Sequence, residues 1–200
     1  MLYTIEHSWL PNLKSGYSVI REELFHFLRE CPVSSLHNNY KAYTNKDGWR
    51  TIPLVFFTIE NPEFITHFPK THKIIQAIPE LISAEFSILL PGTEIRPHIG
   101  YSKQVMRTHL GLKVPDGDIG FKTESESVSW EEGDTFSFND GELHEAWNRT
   151  EEDRWVLMID TPVPGSAYGA KEIARYKFEN LTDEVLLRIA PKEEWLRRLE

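Results

Sequence analysis

From Ala84 to Thr161 the chain alternates apolar and polar residues with a period of two, and turn signals interrupt it at short intervals. The breaks fall at Pro91-Gly92, His98 to Gly100, Pro115 to Asp118, Glu131 to Asp134, Asn139 to Gly141 and Asn148 to Asp153. Strand-length runs between Gly- and Asp-rich turns leave no room for long helices and predict a β-sandwich or barrel. The run Arg154–Asp160 sets Arg154, Val156 and Met158 on one face and Trp155, Leu157 and Ile159 on the other. Both faces are predicted to be buried, one lining a barrel and the other lying under helices.

The flanks read differently. Residues 1–83 are mixed and mostly helical. Ser15 to Glu30 carries Tyr17, Ile20, Leu24, Phe25 and Leu28 at helical spacing, and His37 to Asp47 is a loop-rich stretch. Ile52–Thr58 reads as a short buried strand, and a second helix is predicted over Lys70 to Ile82, starting near Lys70 or Thr71 and complicated at its last turn by Pro79. Residues 163–200 return to helical patterning. No repeat or Ser/Gly linker interrupts the chain, so the expectation is a single domain: a helical part over 1–83, a β-barrel core over 84–162 and C-terminal helices over 163–200.

A chain of 200 residues with 40% hydrophobic and 12% aromatic content can bury a substantial core. Its net charge of −9 opposes general nucleic-acid binding, which needs a surplus of Lys and Arg on one face. The single cysteine, Cys31, excludes an intrachain disulfide framework and a Cys-based zinc site. The N-terminus lacks signal-peptide character, and no segment approaches the roughly 18 apolar residues of a membrane span. The expectation is a cytoplasmic protein without membrane or nucleic-acid partners, acting on a small molecule or peptide.

Polar residues inside the barrel pattern carry the chemistry. His98 stands at the end of one strand and His144 begins another, an arrangement that suits non-haem iron. A carboxylate often completes such a site, yet the position two after His98 is Gly100, and Asp140 in the Asn-Asp-Gly turn has a ready role in the turn itself. Arg107 and His109 share one strand face, and Arg154 enters an apolar strand. A buried guanidinium needs an anion, which a dicarboxylate such as 2-oxoglutarate would supply, with a further hydrogen bond from Ser87. Taken singly, each residue has an ordinary explanation: an inward His is usually a satisfied core residue, and Arg154 could pair with Glu151, Glu152 or Asp153. His7, His26, His37, His67 and His72 have no such context. Trp130–Gly133, WEEG, reads as a hairpin turn under an aromatic cap.

The segments FSILLPGTEIRPHIG, VMRTHLGL, WEEGDTFSFNDGELHEAWN and RWVLMIDTP, in that order over about residues 84–162, resemble the aspartyl/asparaginyl β-hydroxylase family of iron(II)- and 2-oxoglutarate-dependent dioxygenases. The N-terminal WLPNL…IREEL is similar to the first helix of that family. The resemblance implies a double-stranded β-helix, cupin-like, with His98 and His144 as iron ligands and water in place of the facial carboxylate, so that Gly100 is what a member would show. It implies cosubstrate contacts at Ser87, Arg107, His109 and Arg154, and a structural role for Asp140. Val105 stands where members often carry a second Arg, and HFPKTHKIIQAIP lacks the family's usual cysteine. The expected activity is hydroxylation of a C–H bond of an amino acid or amino-acid residue, Asp/Asn-like, free, peptide-bound or carrier-bound. Alternatives are a halogenase using the same cofactors and a non-catalytic cupin-like module that binds metal and dicarboxylate.

Overall fold

The computed structural model describes residues 2–3, 7–36 and 41–200. Its strands are β1 (Leu2–Tyr3), β2 (Trp49–Phe56), β3 (Ile59–Glu60), β4 (Ser83–Leu89), β5 (Thr93–Ile99), β6 (Val105–Lys113), β7 (Ile119–Thr123), β8 (Ser127–Val128), β9 (Thr135–Asn139), β10 (Leu143–Asn148) and β11 (Arg154–Pro162). They form two antiparallel sheets, a larger one ordered β1-β9-β6-β11-β4-β2-β3 and a smaller one ordered β5-β10-β7-β8. The sheets face each other as a double-stranded β-helix. Between them pack Trp49, Leu89, Phe121, Trp130, Phe138 and Met158.

The helices are α1 (Leu10–Ser15), α2 (Tyr17–Glu30), α3 (Pro62–Ile65), α4 (Pro69–Gln76), α5 (Ala170–Glu179), α6 (Glu184–Ile189) and α7 (Lys192–Arg198). Residues from α1, α2 and α4 cover the outer face of the larger sheet, where Leu13, Ile20, Leu24 and Ile75 meet Phe86, Leu110 and Leu157. Around α5 to α7, Ile173, Phe178 and Trp195 form a second cluster with Phe57, Ile82 and Val105. β11 is consequently buried on both faces along Arg154–Thr161.

Three local expectations change. The buried stripe of α2 is Ile20, Leu24 and Phe27, whereas Phe25 is exposed, because it lies about 100° around the helix from Leu24. The second helix ends at Gln76, before Pro79, and the chain turns directly into β4. Its N-terminus is capped from another helix: the Glu23 carboxylate accepts the backbone N–H groups of Lys70 at 3.0 Å and Thr71 at 2.8 Å. The run near Ile52 forms β2, which joins the larger sheet beside β4, so the barrel draws one long strand from the N-terminal segment. Residues 37–40 of the predicted loop lie outside the described residues, and Lys41–Tyr43 forms one 3-10 turn.

Candidate active site

His98 and His144 are directly opposite each other on neighbouring strands β5 and β10, with ring centroids 4.3 Å apart. Each ring is oriented in the same way by the backbone two residues before it. His98 donates Nδ1–H to the Arg96 carbonyl at 2.9 Å, and His144 donates Nδ1–H to the Glu142 carbonyl at 2.8 Å. This fixes the tautomer and leaves the Nε2 lone pair free on both rings, the state in which imidazole ligates a metal. Burial lowers both pKa values, that of His144 to about 3, so both rings are neutral at ordinary pH. Among the described residues no third His, Cys, Asp or Glu joins them in a group able to hold a metal.

The two histidines face a cleft of about 350 Å³ of atom-free space, partly open to solvent, that is also lined by Ser87, Arg107, His109 and Arg154. The structure thus brings together all six residues that the sequence reading singled out.

Arg154 is 1% exposed and has no carboxylate partner among the described residues. Its Nε finds no acceptor, and its guanidinium carbon lies 4.5 Å from the centre of the Trp130 ring. Burial depresses its pKa to about 9. The expected alternative of a surface pair with Glu151, Glu152 or Asp153 is therefore overturned, because β11 carries the side chain inward. Trp130 donates Nε1–H to His109 Nδ1 at 3.1 Å, so the proton of the neutral His109 ring sits on Nε2, which is buried without an acceptor. Trp49 donates Nε1–H to Ser87 Oγ at 2.9 Å, which leaves the Ser87 hydroxyl proton to be given elsewhere. Arg154 Nε and His109 Nε2 thus both lack an acceptor among the described residues, and both residues line the cleft, where an anion would satisfy them.

Arg107 is different. Its Nε and Nη2 donate to Asp160 at 2.7 and 2.8 Å, and its Nη1 lies 2.9 Å from Asp140 Oδ1. Arg107, expected from the sequence to need an anion from outside the chain, instead finds two buried aspartates within it, whereas Arg154 Nε has no acceptor among the described residues. Tyr101 ties the cluster together, giving its backbone N–H to Asp140 Oδ2 at 2.8 Å and its hydroxyl to Asp160 Oδ2 at 3.2 Å. Nor does Asp140 make the turn contact expected of it. Asn139 Oδ1 accepts the Gly141 N–H at 2.9 Å, while the Asp140 carboxylate turns inward.

That carboxylate explains Gly100. A Cβ at position 100 would lie 2.1 Å from Asp140 Oδ2, so glycine is required by close approach and not by a left-handed backbone. Gly100→Ala is expected to lower stability by about 1–3 kcal/mol, the usual cost of overpacking a filled site. An unchanged denaturant midpoint would show that Asp140 yields freely.

Sequence reasoning missed Trp130, Trp49, Asp160 and Tyr101. Asp160 was within reach, since it continues the face of Arg154, Val156 and Met158 by one step of two. Of the histidines set aside, His72 pairs with Glu60 at 2.9 Å, His67 packs on Phe27, His7 stacks on Trp9, and His26 is exposed beside Glu30. His37 lies outside the described residues.

The neutral buried imidazoles have a thermodynamic consequence. Burial, reinforced by Arg154 and Arg107, holds His109 well below 6.5, so below that pH the unfolded chain binds a proton that the folded one refuses. Stability contributed by this group is present at neutral pH and falls as pH falls. Between about pH 7.5 and 5.5 it amounts to roughly 1 kcal/mol. Glu85 acts in the opposite sense, because burial pushes its carboxyl up to about 7. His109→Asn, which keeps an acceptor for Trp130, is expected to lose about 1 kcal/mol less than the metal-free parent over this range. Equal losses in the two proteins, measured by chemical unfolding, would show that His109 takes up its proton in the folded state.

The profile of the Aspartyl/Asparaginyl beta-hydroxylase family matches residues 14–164. An ornithine lipid ester-linked acyl 2-hydroxylase of Rhizobium tropici is 32% identical over 167 residues, which cover 80% of this chain and 59% of that protein. The aspartyl/asparaginyl beta-hydroxylase of Homo sapiens is 32% identical over 156 residues, covering 76% of this chain and 20% of its own. The chain therefore spans about three-fifths of the first relative and one-fifth of the second. Among solved structures, a Cupin_2 domain from Enterobacter cloacae overlaps 57% of this chain and 96% of its own at 13% identity and a TM-score of 0.39, too slight a likeness to carry an argument.

Proposed function

Since this chain belongs to the aspartyl/asparaginyl β-hydroxylase family, we propose that it is an iron(II)- and 2-oxoglutarate-dependent dioxygenase that hydroxylates a C–H bond of an amino acid, an amino-acid residue or an amino-acid conjugate. The observation that carries this reading is the matched pair of Nδ1–H bonds that leave both His98 and His144 with free Nε2 lone pairs, beside the unpaired donors of Arg154 and His109. His98 and His144 would hold the iron, which supplies oxygen activation coupled to decarboxylation of 2-oxoglutarate to succinate and CO₂.

The residues of the chain bind and orient. Arg154 would take one carboxylate of 2-oxoglutarate through its planar fork, with hydrogen bonds from His109 Nε2–H and the Ser87 hydroxyl. Trp130 positions two of these groups at once, accepting the Arg154 cation on its ring face and orienting His109 through its indole N–H. Arg107, held by Asp140 and Asp160, borders the same cleft as a charge-compensated wall. The aromatic lining of Phe121, Phe138 and Trp49 excludes water from the buried end.

The names of the two relatives share one operation, hydroxylation, and differ in target: an acyl chain in one and Asp or Asn in the other. The substrate is accordingly sought among amino acids, their residues in peptides or on carriers, and their lipid conjugates. The test is oxygen-dependent formation of succinate from 2-oxoglutarate by iron-loaded protein over such a panel, with product mass. A gain of one oxygen atom supports the proposal, and a gain of halogen identifies halide transfer. Failure of the iron-loaded protein to bind or consume 2-oxoglutarate overturns the proposal.

A further inference from the structure

Three carboxylates, those of Glu85, Asp140 and Asp160, lie around Arg107, which lines the cleft. Glu85 lies on β4 two residues before Ser87 and so shares its face toward the cleft, opposite Met158 of β11, which also lines it. The next inward position of β11 is Asp160, which is paired across the sheet with Arg107. Asp160 and Asp140 already occupy Arg107.

The charges acting on Glu85 are therefore an attraction from an engaged Arg107 and repulsions from Asp160 and Asp140. Among the described residues none donates a hydrogen bond to its carboxylate. Glu85 is half-buried, as are His98 and Arg107, whereas Ser87 and Arg154 are fully buried, which puts Glu85 on the solvent side. Burial, opposed by Arg107 and aided by the two aspartates, raises its carboxyl to about 7, the response of a site that lacks a cation.

We infer that the substrate presents a cationic group, an ammonium or guanidinium, to Glu85, and that Glu85 is a specificity-determining residue at the mouth of the cleft. This rests on the reading of the cleft as the catalytic site. A cation brings both the positive charge that the cluster lacks and the N–H donors that the Glu85 carboxylate lacks. An anionic group would meet three carboxylates and a guanidinium already committed to two of them. The free side chain of an aspartyl residue is thus a poor match, and an amino acid or conjugate bearing an amine is a good one.

The test uses three probes of one length, hexylammonium, hexan-1-ol and hexanoate, titrated into the full metal-free chain and followed by the fluorescence of its tryptophans. Trp49 and Trp130 line the cleft and report its occupancy. Wild type is expected to bind hexylammonium roughly tenfold or more tightly than hexan-1-ol, the usual effect of one charge-assisted hydrogen bond, while hexanoate reports the separate attraction of Arg154 and His109 in the same cleft. Glu85→Gln is expected to abolish that preference, and Glu85→Lys to reverse it. Because Glu85 has no hydrogen-bond donor to lose, both variants should melt no lower than wild type, and either one suffices if the other fails to fold. Equal binding of hexylammonium and hexan-1-ol by wild type, or a preference unchanged in Glu85→Gln, overturns the inference. Titration of iron-loaded wild type with 2-oxoglutarate separates the two readings: failure to bind it refutes the cofactor assignment, while the cation preference is measured without metal.

Discussion

Alanine at either His98 or His144 is expected to leave the protein without stoichiometric iron. Each ring is held by one backbone carbonyl, and the described residues offer no third protein ligand to make up the loss. Changes to the groups that merely orient a metal-bound His cost about 10- to 100-fold in affinity, so removal of one of two protein ligands should cost more than about 100-fold. His144 also packs against Phe121 and Phe138, with centroids 5.7 and 4.9 Å away, and His144→Ala therefore needs a folding control in the melting curve of the metal-free protein. His98, which is less buried and touches Tyr43, gives the cleaner variant. His72→Ala, which removes a partly buried pair with Glu60 away from the cleft lining, is the matched comparison and should retain iron. Metal analysis of anaerobically loaded protein decides the matter: near-normal iron in His98→Ala or His144→Ala would remove that residue from the metal site.

Substitution of Arg154 should move affinity and stability in opposite directions. Arg154 is buried with no carboxylate among the described residues to offset it, which costs the cofactor-free protein free energy, and the depressed pKa reports the same penalty. Arg154→Met fills similar volume without charge and is expected to raise the melting temperature of the cofactor-free protein. The same change removes a charge-assisted bidentate contact worth about 1.5–3 kcal/mol, so affinity for 2-oxoglutarate should fall roughly 10- to 150-fold. Arg154→Ala should lose affinity equally but gain less stability, since it leaves a cavity over Trp130. Arg154→Lys keeps the charge without the fork and should fall between the parent and Met in affinity. Anaerobic calorimetric titration together with thermal melting reads both quantities. Unchanged affinity in Arg154→Met would show that the guanidinium does not meet the cosubstrate.

The opposition of these effects is typical of a site whose donors are set before the ligand arrives. His109 behaves in the same way, with an Nε2–H that has no acceptor and a ring kept neutral by burial and by nearby guanidiniums. Arg107 does not share this behaviour, because Asp140 and Asp160 complete it within the chain. Two arginines that look alike in the sequence thus differ in setting: Arg154 Nε has no acceptor among the described residues, and Arg107 is paired with Asp140 and Asp160.

The sequence by itself determined the β-barrel and the polar residues of its cleft, but not Trp49 and Trp130, which line it too. Side-chain direction along a strand alternates whatever the strand pairs with, so spacing put Arg107 with His109 on one face and Arg154 with Val156 and Met158 on another, while Ser87, His98 and His144 were read from strand position and motif. The same local rule would have included Asp160. Tertiary structure alone decided which charges meet. Arg107 reaches Asp160 fifty-three residues away, Trp130 reaches His109 across twenty-one and the Arg154 cation besides, and Asp140 fills the space beside Gly100. Those contacts depend on register between strands remote in the chain, which no local period specifies. The early end of α4 and the capture of β2 by the larger sheet have the same origin: a proline and an apolar run set what each segment can do, and the neighbours present in the fold set what it does.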